Sequence, residues 1–284
     1  MKFIDPAGLA IAFVVCLAIF APLESWIPHQ TGRKFFRRGW FTDFTHFFLG
    51  DLLKKAAVFA FALPVVMLLG VLVNHELQAR ILRQPWWLQL IEAQVIADVG
   101  GYWGHRLAHT IPLFWRFHAL HHSSEQLDWL AVARVHPIDQ GFTRIFAFVP
   151  LYLLGFSKAT FGFLLVLETF HAIFIHANVR VRFGWMEKVI STPAFHHWHH
   201  TNDGPEVINK NYAGLFPWVD RLFRTHHLSK DRMPAKYGID EPTPPGYLEQ
   251  IAAPFQRKGG ESTVEGQSLG KPTANHRLTQ IPAD

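Results

Sequence analysis

A chain of 284 residues with 49% hydrophobic and only 17% charged side chains is too apolar for an ordinary soluble domain, which points to a membrane protein. Its formal charge of +5 sits in short groups beside apolar runs, not on a basic surface interleaved with base-stacking aromatics, so a nucleic-acid partner is excluded. The single cysteine, Cys16, lies in an apolar run; disulfides and thiolate metal sites are therefore excluded too, and any metal must take nitrogen or oxygen donors.

Residues 7–27 are apolar apart from Glu24 and Ser25 and long enough to cross a hydrocarbon core of about 30 Å. Arg33, Lys34, Arg37 and Arg38 follow; by the positive-inside rule that loop is cytoplasmic and the N-terminus lies outside. Residues 52–73 form a second span, with Lys54 and Lys55 at its start and Pro64 as a kink. Residues 74–84 make a short loop, and residues 85–104 a third span that brings His105 and His109 to the cytoplasmic surface. Residues 142–154 and 159–175, joined at Gly155-Phe156-Ser157, read as a membrane hairpin whose return ends at His171 and His176. From Arg180 the chain is amphipathic and basic, and residues 241–284 are rich in Pro, Gly, Ser, Thr and Gln, a composition that predicts disorder. The expected fold is all-α: an integral membrane protein with about four to five membrane-embedded helices and a cytoplasmic histidine-rich helical cap. N-terminal membrane helices fill residues 1–97, and a histidine-cluster catalytic domain fills residues 98–228.

Three histidine clusters carry the chemistry. His105 and His109 are four apart; His118, His121 and His122 are related as i, i+3 and i+4; His196, His199 and His200 repeat that pattern after Pro193. Such spacings put imidazoles on one helix face, where neighbouring rings can grip one ion. Lysine and arginine alone place all three clusters, with His171 and His176, on one side of the bilayer. Eight or more imidazoles suit two ions with spare coordination positions, which suggests redox chemistry with dioxygen.

The spaced set His105-x-x-x-His109, His118-x-x-His121-His122 and His196-x-x-His199-His200 resembles the eight-histidine signature of the fatty acid hydroxylase superfamily. Asp98, Tyr102-Trp103, Ser123-Ser124, Arg134-x-His136-Pro137, His176-x-Asn178, Asn211-Tyr212 and Trp218-x-Asp220-Arg221 are similar to its sterol-desaturase branch. One departure is Arg224, where the family has glycine, which questions the local turn. The resemblance implies a membrane enzyme with two non-haem iron ions, dioxygen as co-substrate and a hydrophobic lipid-like substrate. Electrons would come from an external ferredoxin, cytochrome or reductase, since neither a dinucleotide fingerprint nor a haem or cluster motif is present.

Within that frame the eight cluster histidines are catalytic metal ligands, and His176, at the end of a span, joins them. His171 is either a ligand one turn deeper or a core histidine bonded to Glu168, and His136 is either a further ligand or a loop-ordering residue. Asp98, seven residues before His105, either accepts that ring's N–H and so orients it, or pairs with an arginine of the cap. Glu168 and Asn178 are further candidates for contacts behind the ligands. Two other functions fit the same clusters. A dinuclear zinc hydrolase would hold stoichiometric zinc and turn over without oxygen; a metal transporter would need Glu92, Asp98 and Glu168 to mark a path across the bilayer.

Overall fold

Asp5 starts the first helix, α1 (Pro6–Trp26): its carboxylate accepts from Gly8 N at 3.0 Å, and Pro6 occupies the first turn, where a missing N–H costs nothing. The computed structural model describes residues 5–256, so most of the stretch expected to be disordered, residues 257–284, lies outside the described residues. After α1 come α2 (Trp40–Leu69), α3 (His75–Leu82), α4 (Trp86–Thr110), α5 (Pro112–His122), α6 (Pro137–Leu154), α7 (Lys158–His176), α8 (Pro193–His199), α9 (Pro217–Leu222) and α10 (Tyr247–Gln256). No strand forms among the described residues, and the fold is all-α as expected.

Among the described residues, three helices are long and apolar enough to cross a membrane: Pro6–Trp26, Trp40–Leu72 and Lys158–His176. Their outward faces expose Ile11, Val14, Met67, Leu68, Val166 and Phe170, an arrangement that water would penalise and lipid would not. Helix α4, expected to be a span, is not among them. It carries buried Gln89, Gln94 and Asp98, which find partners inside the protein: Gln89 with Gln84, Ser157 and Thr160, the Gln94 amide nitrogen with Glu168, and Asp98 with the segment before α9. Helix α6 lies between α2 and α4. Its approach to α4 requires Gly100, where a Cβ would come within 2.0 Å of the Phe146 carbonyl oxygen.

The α6–α7 hairpin turns at Gly155 (φ 82°), and Ser157 caps α7 by accepting from Thr160 N at 3.2 Å. The expected loop at 74–84 instead contains α3, capped by Asn74, whose side chain accepts from Leu77 N at 2.9 Å. Helix α10 lies within the stretch expected to be disordered. The turn-rich residues before it hide a helix whose Gln250 is 3% exposed and receives the His46 ring N–H at 2.8 Å. Two basic residues used to orient the chain do structural work: Arg33 donates to the Leu127 carbonyl, and Arg37 is buried between Asp43 (2.7 Å) and Asp128 (2.6 Å). Arg134 reaches Asp43 from the other side at 2.5 Å, so the network ties the start of α2 to the segment following α5.

Candidate metal centre

Four helices deliver the imidazoles. The last turns of α4 carry His105 and His109; Ile111-Pro112 then redirects the chain into α5, which carries His118, His121 and His122. Helix α7 ends at His176. Helix α8, with Thr192 at its N-cap and proline in its first turn, presents His196 and His199 and ends against His200. The rings converge as two sets: His105, His109, His118, His122 and His199 form one, and His121, His176, His196 and His200 the other. Within each set one nitrogen from every residue lies within 4.8 Å of all the others.

Hydrogen bonds fix which nitrogen faces inward. In the first set, Nδ1 donates from His105 to the Tyr212 carbonyl (2.8 Å), from His109 to Asn209 Oδ1 (3.1 Å), from His199 to the Lys210 carbonyl (2.8 Å), and from His118 to both Asp139 carboxylate oxygens (3.1 Å). In the second, His121 Nδ1 donates to the Arg134 carbonyl (3.2 Å) and His176 Nδ1 to the Ala172 carbonyl (2.7 Å). Because these oxygens accept, Nδ1 carries the hydrogen, and the neutral ring turns a bare Nε2 lone pair inward.

Inward lone pairs then confront one another, with Nε2 to Nε2 separations of 3.2 Å for His105–His118 and for His121–His176. The Nε2 atoms of His109, His122 and His199 and the Nδ1 atoms of His196 and His200 are buried without any hydrogen-bond partner. Facing lone pairs repel and orphaned buried nitrogens are costly. A cation in each set ends this repulsion, which in the second set also involves His196 Nε2 against those of His176 (3.2 Å) and His200 (3.1 Å), and in the first set it partners the bare Nε2 atoms of His109, His122 and His199, so the residues fit a pair of metal ions. Burial first, and neighbouring imidazoles second, hold His118, His122, His196 and His200 well below the usual histidine value of 6.5. The rings are therefore neutral at neutral pH, as metal ligands must be.

The remaining sequence candidates sit elsewhere. His136 belongs to neither set: its Nδ1 accepts from Ile138 N at the start of α6 and its Nε2 donates to the Ile251 carbonyl (each 3.1 Å). His171 is also in neither set, and Glu168 pairs with Arg144 (2.7 Å) and Gln94 (3.4 Å) instead of with that ring. Asp98 contacts neither His105 nor a cap arginine; it accepts from Leu215 N (2.6 Å) and Phe216 N (2.8 Å), because the segment before α9 crosses its face of α4. Asn178 exchanges hydrogen bonds with the Gln30 backbone (2.8 and 3.1 Å), tethering the chain after α1.

The contact residues that sequence reasoning missed are Asp139, Asn209 and the carbonyls of Arg134, Ala172, Lys210 and Tyr212. Carbonyls have no side-chain signature, and Asp139 lies 21 residues from the ring that it holds. Residue 224 keeps its turn without glycine, since Arg224 adopts φ 61°. A cleft of about 310 Å³, bordered by Trp115, Asn202, Asn209 and Asp240, reaches the first set at His109, His122 and His199.

A sequence model described as fatty acid hydroxylase matches residues 90–225, the stretch that contains every one of the nine converging histidines. The ornithine lipid hydroxylase OlsE of Rhizobium tropici is 32% identical over 259 residues, covering 89% of this chain and 77% of that protein. The chain belongs to the fatty acid hydroxylase family. Further relatives are an alkylglycerol monooxygenase of Danio rerio, 32% identical over 55% of this chain and 33% of that protein, and a Delta(7)-sterol 5(6)-desaturase of Gibberella zeae, 31% identical over 58% and 53%. No solved structure matches the chain significantly. Its relatives are hydroxylases, monooxygenases and desaturases, and this family member is accordingly an oxidoreductase.

Proposed function

We propose that the chain is an oxygen-dependent di-iron enzyme that attacks an unactivated C–H bond of a membrane lipid, giving an alcohol by hydroxylation or an alkene by desaturation. The observation that carries this reading is the pair of imidazole sets whose Nε2 atoms converge on one another, three of them in the first set buried without any hydrogen-bond partner. His105, His109, His118, His122 and His199 would hold one iron, and His121, His176, His196 and His200 the other. Iron so bound supplies the activation of dioxygen and the oxidising equivalents that the C–H bond requires.

The chain's own residues provide orientation and exclusion of water. Tyr212, Lys210, Asn209, Asp139, Arg134 and Ala172 keep Nδ1 protonated and Nε2 free on six of the rings. Burial of eight of the nine rings keeps bulk water from the centre, with the cleft beside His109, His122 and His199 as a passage for small polar reactants. The bare apolar faces of α1, α2 and α7 support lateral entry of a lipid from the bilayer. Coverage of most of an ornithine lipid hydroxylase supports an amphiphilic membrane lipid as the substrate class. Exposed Lys34 and Arg38 support a cytoplasmic position for the clusters and an outside N-terminus. Electrons would arrive there from an external ferredoxin, cytochrome or reductase.

Metal analysis of freshly purified protein, oxygen uptake, and mass spectrometry of lipids from cells with and without the gene test the proposal together. It requires two irons per chain, oxygen consumed only with lipid and reductant, and a lipid that gains one oxygen or loses two hydrogens. Stoichiometric zinc with no oxygen-dependent turnover would replace it with the hydrolase.

A further inference from the structure

The hydrogen bonds behind the histidines are shared unequally between the two sets. In the first, four of five rings have an oxygen acceptor on Nδ1, at His105, His109, His118 and His199. Three of those acceptors come from one short loop: Asn209 by its side chain, Lys210 and Tyr212 by their carbonyls. That loop is held firmly. Asn211 is 0% exposed, donates to the Phe195 (2.8 Å) and His227 (2.6 Å) carbonyls and accepts from His227 N (2.7 Å), while Asp220 accepts from the N–H groups of Tyr212 (2.9 Å) and Ala213 (2.8 Å). Asn209 and Asn211 stand at φ 57° and 61°, a left-handed conformation that asparagine tolerates better than most residues. The fourth acceptor, Asp139, is 5% exposed and is the one carboxylate bonded to any of the nine rings among the described residues.

In the second set only His121 and His176 have acceptors, both backbone carbonyls, while Nδ1 of His196 and of His200 is buried with none. A carboxylate behind a ligand imidazole strengthens its donation to the metal, and fixed ring orientation lowers the ordering cost of binding. We infer that Asp139 and loop 209–212 are positioning elements that make the five-imidazole set the tighter of two unequal metal positions. The inference rests on the metal reading above. Among the described residues Asp139 is also the one carboxyl group bonded to either set, and its charge when ionised favours a cation at the first set over the second.

The test loads detergent-purified full-length protein with iron(II) under anaerobic conditions and counts ions per chain against a graded chelator. Wild type is expected to lose its ions in two steps. Asp139→Ala should move the tighter step by roughly 10- to 100-fold and leave the weaker step in place. Asn209→Gly, which keeps the left-handed backbone but removes the acceptor, should shift that same step; Asp139→Asn, which keeps the shape without the charge, should fall between wild type and alanine. The latter two variants carry the test if Asp139→Ala does not fold. Release of both ions in one step, or variants that move both steps equally in parallel with thermal stability, overturns the inference. Wild-type protein that binds fewer than two ions overturns instead the metal reading beneath it.

Discussion

Left-handed backbone at Arg224 carries a steric cost that glycine would not, of order 1 kcal/mol, and the residue is exposed. Arg224→Gly is therefore expected to raise stability by about that amount with turnover unchanged; a lower melting temperature would show that the arginine side chain compensates locally. His121 and His199 stand at the other extreme, each a ligand candidate in a different set. Replacing either by alanine should remove metal and oxygen-dependent turnover together, and a variant keeping two ions and full activity would sink the assignment. Depressed proton affinity of His118, His122, His196 and His200 also has a sign. Below about pH 6.5 the unfolded chain takes up protons that the folded rings refuse, so stability and metal content are full above that value and fall as pH drops beneath it. Metal content and melting temperature followed from about pH 8 to 5 check this; a flat profile contradicts it.

Helix contacts decide where the rings meet. Gly100 lets α4 touch the α6 backbone, and a Cβ there would come within 2.0 Å of Phe146 O. Gly100→Ala should cost roughly 1–3 kcal/mol by overpacking and disturb His105 and His109 further along the same helix, lowering both melting temperature and bound metal. Asp98 acts at this scale too. Its two backbone hydrogen bonds hold the segment before α9, so Asp98→Ala should lower stability by a few kcal/mol while metal affinity of the surviving folded protein changes less than it does for Asp139→Ala. Chelator titration beside thermal unfolding separates the two roles. Helix α10 closes the group by covering His46, His136 and Arg116 with Gln250, Ile251 and Pro254.

At the scale of the whole molecule, apolar periodicity and spacing made much legible. The apolar lengths of residues 7–27, 52–73 and 159–175 correspond to helices long enough to cross a membrane, and the i, i+3, i+4 histidines lie on α4, α5 and α8. Hydrophobic runs and helical spacing are properties of consecutive residues, so no partner has to be known for them to be read. Other features depend on what lies across the fold. Whether Asp98 meets a ring or a loop, whether His136 faces the centre or α10, and which acceptor stands behind each imidazole are set by segments up to 118 residues apart. Division of the nine imidazoles into five and four is of the same kind, because His121 and His122 are adjacent in the chain yet turn to different sets. Local pattern thus determined the long apolar helices and the donor chemistry, though not α3 or α10. Only the packing of α4, α5, α7 and α8 against one another, α6 and loop 209–212 decided how those donors are shared, since a lone pair's direction follows from the oxygen that holds the opposite side of its ring.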